Sequence, residues 1–128
     1  MKMEQLPYFD TGLLTAFCTL IFWLSHQSGL PTPVFFPYQD KVAHFSEYAI
    51  LGVLAWRCFR HQVKRPELLF LFSLAFCSLY GALDEFHQYF IPNRHVDILD
   101  WLADTVGSGL AISIMTYLRF RQQQNQVA

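Results

Sequence analysis

The stretch Gly81-Ala-Leu-Asp84-Glu85-Phe-His87-Gln88-Tyr-Phe-Ile-Pro92-Asn93-Arg94-His95-Val-Asp97-Ile-Leu-Asp100-Trp-Leu-Ala-Asp104 sets five carboxylates, two histidines and one arginine between two long apolar runs. Charge in such surroundings is costly, because an ionisable group on a membrane helix must find a partner, a proton or water. Working outward, four segments have spanning character: 9–25, 42–59, 67–90 and 97–118. A hydrocarbon core of roughly 30 Å needs about 20 helical residues, and period-two alternation is absent from these runs. The expected fold is therefore all-α, a single domain forming a membrane bundle of four transmembrane helices. Pro31, Pro33 and Pro37 mark a loop after the first span, and Pro92 stops the third.

Composition points the same way. Of 128 residues, 53% are hydrophobic and only 15% charged, against roughly 25% charged in soluble domains. A net charge of −1 without a basic stripe argues against nucleic acid as a partner. Cys18, Cys58 and Cys77 are unclustered and read as packing residues. Residues 13–24 resemble a signal-peptide core, but Lys2 is offset by Glu4 and Asp10 and no small-x-small cleavage site follows, so an uncleaved span is expected. The Gln-rich tail 121–126 reads as disordered. A soluble four-helix bundle is the alternative, since no span is free of polar residues along its whole length.

Bases and acids segregate. Arg57, Arg60, Lys64 and Arg65 border the second connection, Lys2 precedes the first span, and Arg119 and Arg121 follow the last. The positive-inside rule places both termini in the cytoplasm and the acid-rich stretch outside. Asp40, Glu47, Asp84, Glu85, Asp97, Asp100 and Asp104 all fall at that outer end. The apolar run 68–83 rises about 24 Å, short of the roughly 30 Å core, so Asp84 and Glu85 should lie just within the outer boundary. Tyr38, Tyr48, Tyr89, Phe90 and Trp101 near that boundary read as an interfacial belt.

Helical spacing groups these side chains. Gly81, Asp84, Glu85 and Gln88 share one sector of the third span, opposite Leu83, Phe86 and Phe90. Asp40, His44 and Glu47 align in the second, above Leu51. Asp97, Asp100 and Asp104 align in the fourth, above Gly107 and Ala111, whose small side chains let helices approach. Three polar faces thus converge on an outward cleft, where seven acids facing Lys41 and Arg94 must take up protons, pair with His44, His87 or His95, or bind a cation. Asp84, Glu85, Asp100 and Asp104 are the candidate ligands of a divalent cation. His44 and Glu47 suit proton transfer, or simply tie helices together. Arg94 suits an anion clamp, or an internal salt bridge to Asp97 or Asp100. Helix capping accounts for Asp97 but not for Asp104, about two turns in.

The residues Asp40-Lys41-x-x-His44, Glu47, Leu51-Gly52, Asp84-Glu85-x-x-Gln88, Pro92-x-Arg94-x-x-Asp97-x-x-Asp100 and Gly107 resemble, in order and spacing from about 40 to 109, the signature of the VanZ-like family of small bacterial membrane proteins. That resemblance implies a multi-pass protein of the bacterial inner membrane, of a family whose namesake is associated with low-level teicoplanin resistance, and implies no particular reaction. Asn93 stands where Gly commonly precedes the arginine, and Asp104 where Asn is usual; His87 and His95 lie outside the pattern.

Three functions compete. An enzyme acting on a lipid or lipid-linked envelope precursor would use His44, Glu47, Asp84 and Glu85 for chemistry and Lys41, Gln88, Arg94, Asp97 and Asp100 to hold substrate. A non-catalytic binder would sequester an envelope component or an amphiphilic antibiotic in the same cleft. A proton- or cation-coupled transporter needs polar groups through the whole membrane depth, which the spans lack.

Overall fold

The computed structural model describes residues 6–29 and 33–127. Lys2, Glu4 and Pro31, used above for orientation, processing and loop placement, lie outside the described residues. Four helices follow one another: α1 (Leu6–His26), α2 (Gln39–Phe59), α3 (Pro66–Gln88) and α4 (Ile98–Val127). They run up and down, so the ends of α1 and α3 meet the starts of α2 and α4.

Local sequence accounts for the boundaries. Pro66 opens α3, where a missing N–H costs nothing and the fixed φ suits a helix. The chain leaves α3 at Gln88, two residues before the expected limit, through short-range bonds from Phe90 N–H to the His87 carbonyl and from Ile91 N–H to the Gln88 carbonyl. Asn93 then turns the chain at φ 62°. Glycine and asparagine tolerate that left-handed region best, so Asn93 meets the backbone demand of this turn. At the start of α4, Asp97 Oδ1 accepts the Leu99 N–H at 2.9 Å, the cap expected of it.

The far end of α4 corrects the reading of the tail. Residues 121–126 are helical and α4 continues to Val127. Arg and Gln are good helix formers, and no Gly or Pro interrupts the chain after Gly109. At 1.5 Å per residue its 30 residues extend about 45 Å, beyond a roughly 30 Å hydrocarbon core.

α2 and α3 form a central pair, with α1 against both on one side and α4 against both on the other. The core is built from Leu14 and Ile21 of α1, Tyr48, Leu51, Ala55 and Trp56 of α2, Leu69 and Cys77 of α3, and Ile112 of α4. Tyr48 belongs to this core, fully buried, and not to an interfacial belt; Tyr38, Tyr89 and Phe90 are exposed as a belt requires. Cys18, Cys58 and Cys77 are free thiols among apolar neighbours.

The outer surface is apolar. Leu71, Leu79, Leu83, Phe86, Val106 and Leu110 are all exposed, and so wide a girdle suits hydrocarbon rather than water. α1, α3 and α4 are long and apolar enough to cross a membrane. α2 has the same length as α1 but is more polar, and it lies against all three neighbours. This is a membrane bundle, and the soluble alternative gives way.

Glycine sets the spacing of α2 and α4. A Cβ on Gly107 would overlap the Phe45 carbonyl oxygen, and one on Gly52 would stand 2.9 Å from the Ser108 carbonyl oxygen. Gly12 of α1 has nothing within 4 Å. Gly107→Ala is therefore expected to destabilise the bundle by about 2 kcal/mol, whereas Gly12→Ala should be neutral or stabilising by up to roughly 1 kcal/mol. Denaturant titration in detergent, followed by helical circular dichroism, compares the two.

Candidate functional site

The α2 to α4 contact brings the polar faces together at the end where α1 and α3 finish. Gly81, Asp84, Glu85 and Gln88 are all buried, while Leu83, Phe86 and Phe90 point outward. The sector read from helical spacing is the sector observed. Asp100 and Asp104 of α4 are buried as well, Asp104 completely.

Lys41 ties the rim. Its Nζ lies 2.7 Å from Asp40, 2.7 Å from Asp97 and 2.6 Å from Asp100. Three carboxylates use all three ammonium protons, so this lysine pins α2 to the start of α4 and has no donor left for a substrate. The ammonium holds the Asp97 carboxyl below the usual carboxylate range.

One turn deeper, His44 Nδ1 lies 2.9 Å from Asp104 Oδ1, and its Nε2 is 3.8 Å from Asp100 Oδ2. The expected His44 and Glu47 pair is not formed: the close approach of α2 and α4 turns the imidazole toward Asp104, and Glu47 makes no hydrogen bond among the described residues. Glu85 Oε2 accepts the Asp97 N–H at 3.2 Å. Glu85 Oε1, Asp104 Oδ2 and the Tyr48 hydroxyl are buried with no partner among the described residues. Gly81 makes this crowding feasible, since a Cβ there would stand 3.0 Å from Asp104 Oδ2 and 3.3 Å from the Tyr48 ring.

His44, Glu85 and Asp104 each offer a ligand atom, and these atoms lie within 4.8 Å of one another. Two carboxylates and an imidazole suit a divalent cation or a shared proton, and either would satisfy the orphaned oxygens. Of the ligands read from the sequence, Glu85 and Asp104 fall in this group, whereas Asp84 and Asp100 do not.

Several expected partners are replaced. Arg94 makes no salt bridge with Asp97 or Asp100, which Lys41 has already taken; its Nε and Nη2 donate to the Gln27 and Leu24 carbonyls at 2.9 and 2.8 Å. Carbonyls left over at the end of α1 are strong acceptors at the negative pole of the helix, and the loop carries Arg94 onto them. His87 pairs with His26, Nε2 to Nδ1 at 3.2 Å, and packs on Phe22 rather than on an acid. His95 is exposed.

Two groups serve otherwise than the sequence reading has them, Tyr48 as a belt residue and Asp10 as a flanking charge. Tyr48 sits four residues after His44 and therefore on its face, a signal available in the sequence. At the opposite end, Asp10 is buried against Arg57 at 2.6 Å and His61 at 2.8 Å. A lone acid inside an apolar helix, level with the basic end of its neighbour, was the clue.

Four helices around a buried acid, histidine and glycine seam define a class of small membrane proteins. Residues 8–120 match the family described as VanZ/LLP1, and the chain belongs to that family. The match extends well beyond the 40–109 stretch that carries the motifs. The chain is also 30% identical over 91 residues to "Uncharacterized protein C11E3.10" of Schizosaccharomyces pombe; the alignment covers 70% of this chain and about half (52%) of that relative. No solved structure matches.

The Lys41 pin yields a titration test. Lys41→Met should raise the Asp97 carboxyl toward the ordinary aspartate range, with the Leu99 N–H still holding it somewhat low. Because Asp97 is depressed in the fold, its contribution to stability is present above the ordinary value and lost only as pH falls through the lowered one. Carbon-13 resonances of labelled aspartate, followed from pH 6 downward in micelles, give the check: the Asp97 titration should move to higher pH in the variant, and this contribution to stability should shrink.

Proposed function

We propose that the buried acid end is a divalent-cation site that binds, and chemically alters, the polar head of a membrane lipid or lipid-linked envelope component. The observation that carries this reading is the pair of buried oxygens, Glu85 Oε1 and Asp104 Oδ2, without partners beside His44. Charges placed so are retained when they hold an ion or move a proton. In this reading His44, oriented by Asp104 through Nδ1, offers its other ring nitrogen to the cation. Glu85 and Asp104 hold the cation together with His44, where the anionic head would meet it. Glu47, Asp84 and Gln88 line the approach. Lys41, Asp97 and Asp100 hold the rim, and Arg94 holds the loop; their contribution to substrate binding is through position.

Because Arg57, Arg60, Lys64, Arg65, Arg119 and Arg121 gather at the other end, the acid end faces outward from a bacterial inner membrane with both termini in the cytoplasm. Altering an envelope component there would lower sensitivity to a glycopeptide such as teicoplanin. The relative in a yeast favours a lipid class common to both kinds of cell over one confined to bacterial walls. A transporter is disfavoured, because Leu51, Leu14, Ala55, Leu69 and Ile112 separate the acid end from Asp10.

Protein in nanodiscs, incubated with a radiolabelled lipid extract and Mg2+ or Mn2+, should change at least one lipid. His44→Ala and Glu85→Gln should each slow that change by about 100-fold or more. Teicoplanin tolerance conferred on a sensitive host should vanish with the same substitutions. Saturable lipid binding without turnover would assign the sequestering role instead; no change and no binding, with or without metal, would contradict both.

A further inference from the structure

The opposite end of the bundle carries a second site. Between the start of α1 and the ends of α2 and α4 lies a cavity of about 530 Å³, lined among others by Trp56, Arg60, His61, Met115, Arg119 and Gln122. Trp56 is buried and its indole N–H reaches Thr116 Oγ1 at 3.2 Å, which fixes the ring. The guanidinium groups of Arg60 and Arg119 lie over this one ring, each 5.9 Å from its centroid. Two like charges converging on one aromatic platform repel one another unless an anion sits between them.

Among the described residues, Asp10 answers this pair only in part, through a long contact to Arg60. Asp10 is taken by Arg57 at 2.6 Å and by His61 at 2.8 Å, leaving Arg60 at 3.7 Å. Arg119 Nη1 is buried and has no acceptor among the described residues. A buried donor on a charged group without a partner is costly, and the planar guanidinium fork matches a phosphate oxygen pair. Gln122 adds an amide from the part of α4 that continues past the core, so the ordered tail builds one wall. Leu6, Met115 and Leu118 complete the lining with apolar surface.

We propose that this pocket binds a phosphate-bearing anion, with Arg60 and Arg119 as its fork and Trp56 as its floor. The chemistry is common to an anionic lipid headgroup at this face of the membrane and to free phosphate. Basic pockets between membrane helices serve lipid headgroups in this way, and the apolar wall offers an acyl chain a place to continue. The site is separate from the acid end and does not depend on what happens there.

The test titrates short-chain phosphatidylglycerol into the protein in neutral detergent, with native mass spectrometry reading occupancy. Saturable binding is expected, with short-chain phosphatidylcholine a poor competitor. Arg60→Gln and Arg119→Gln should each weaken it on the order of tenfold, and Arg119→Lys, which keeps charge but loses the fork, should fall between. Arg121 lies outside the pocket against Tyr117, so Arg121→Gln should change nothing. Helical circular dichroism of each variant shows that the bundle is retained. Inorganic phosphate is the second arm: displacement of the lipid by millimolar phosphate supports the pocket and names the phosphate group as sufficient, and failure to displace supports it with the lipid as ligand. Non-saturable binding, equal loss in Arg121→Gln, or unchanged binding in folded Arg60→Gln and Arg119→Gln would overturn the proposal.

Discussion

The close approach of α2 and α4 is the constraint from which the rest follows. Gly107 under the Phe45 carbonyl and Gly52 under the Ser108 carbonyl remove the side chains that would hold these helices apart. At that separation Lys41 reaches Asp97 and Asp100, and His44 reaches Asp104. Apolar packing between membrane helices has little hydrophobic driving force, so small residues and interhelical hydrogen bonds do the associating. The same contacts that assemble the fold therefore assemble the site.

Two charged ends are separated by an apolar middle. At one end the carboxylates of α3 and α4 face Lys41 and His44; at the other, Asp10 answers Arg57 and His61. These ends differ in kind. Asp10 has its hydrogen bonds, and replacing one partner there would leave a buried charge, a loss of about 3 kcal/mol or more. The acid end keeps oxygens of Glu85 and Asp104 without partners. Structure alone gains nothing from such oxygens, which is why the chemistry is sought there.

Much of this was legible in the sequence, for a physical reason. Helical period and burial are local properties, so the inward sector Gly81, Asp84, Glu85 and Gln88, the outward Leu83 and Phe86, and the packing role of Gly107 could be read directly. Choice of partner is not local. Arg94 had five nearby acids available and chose the carbonyls at the end of α1, because Lys41 already held Asp97 and Asp100. His44 exchanged Glu47 for Asp104 once α4 came close. The helical tail was misread because low complexity suggested disorder, whereas Arg and Gln favour helix and nothing stops it.

The central claim is that His44, Glu85 and Asp104 together hold one divalent cation within the bundle. Electron spin echo spectroscopy of Mn2+ added to the protein in nanodiscs tests it most directly, since a coordinated imidazole imprints nitrogen modulation on the metal signal. One equivalent of Mn2+ with modulation from a single histidine is expected, lost in His44→Gln and retained in His26→Gln and His87→Gln. Mn2+ that remains in bulk water, or a nitrogen signal that survives His44→Gln, would contradict it.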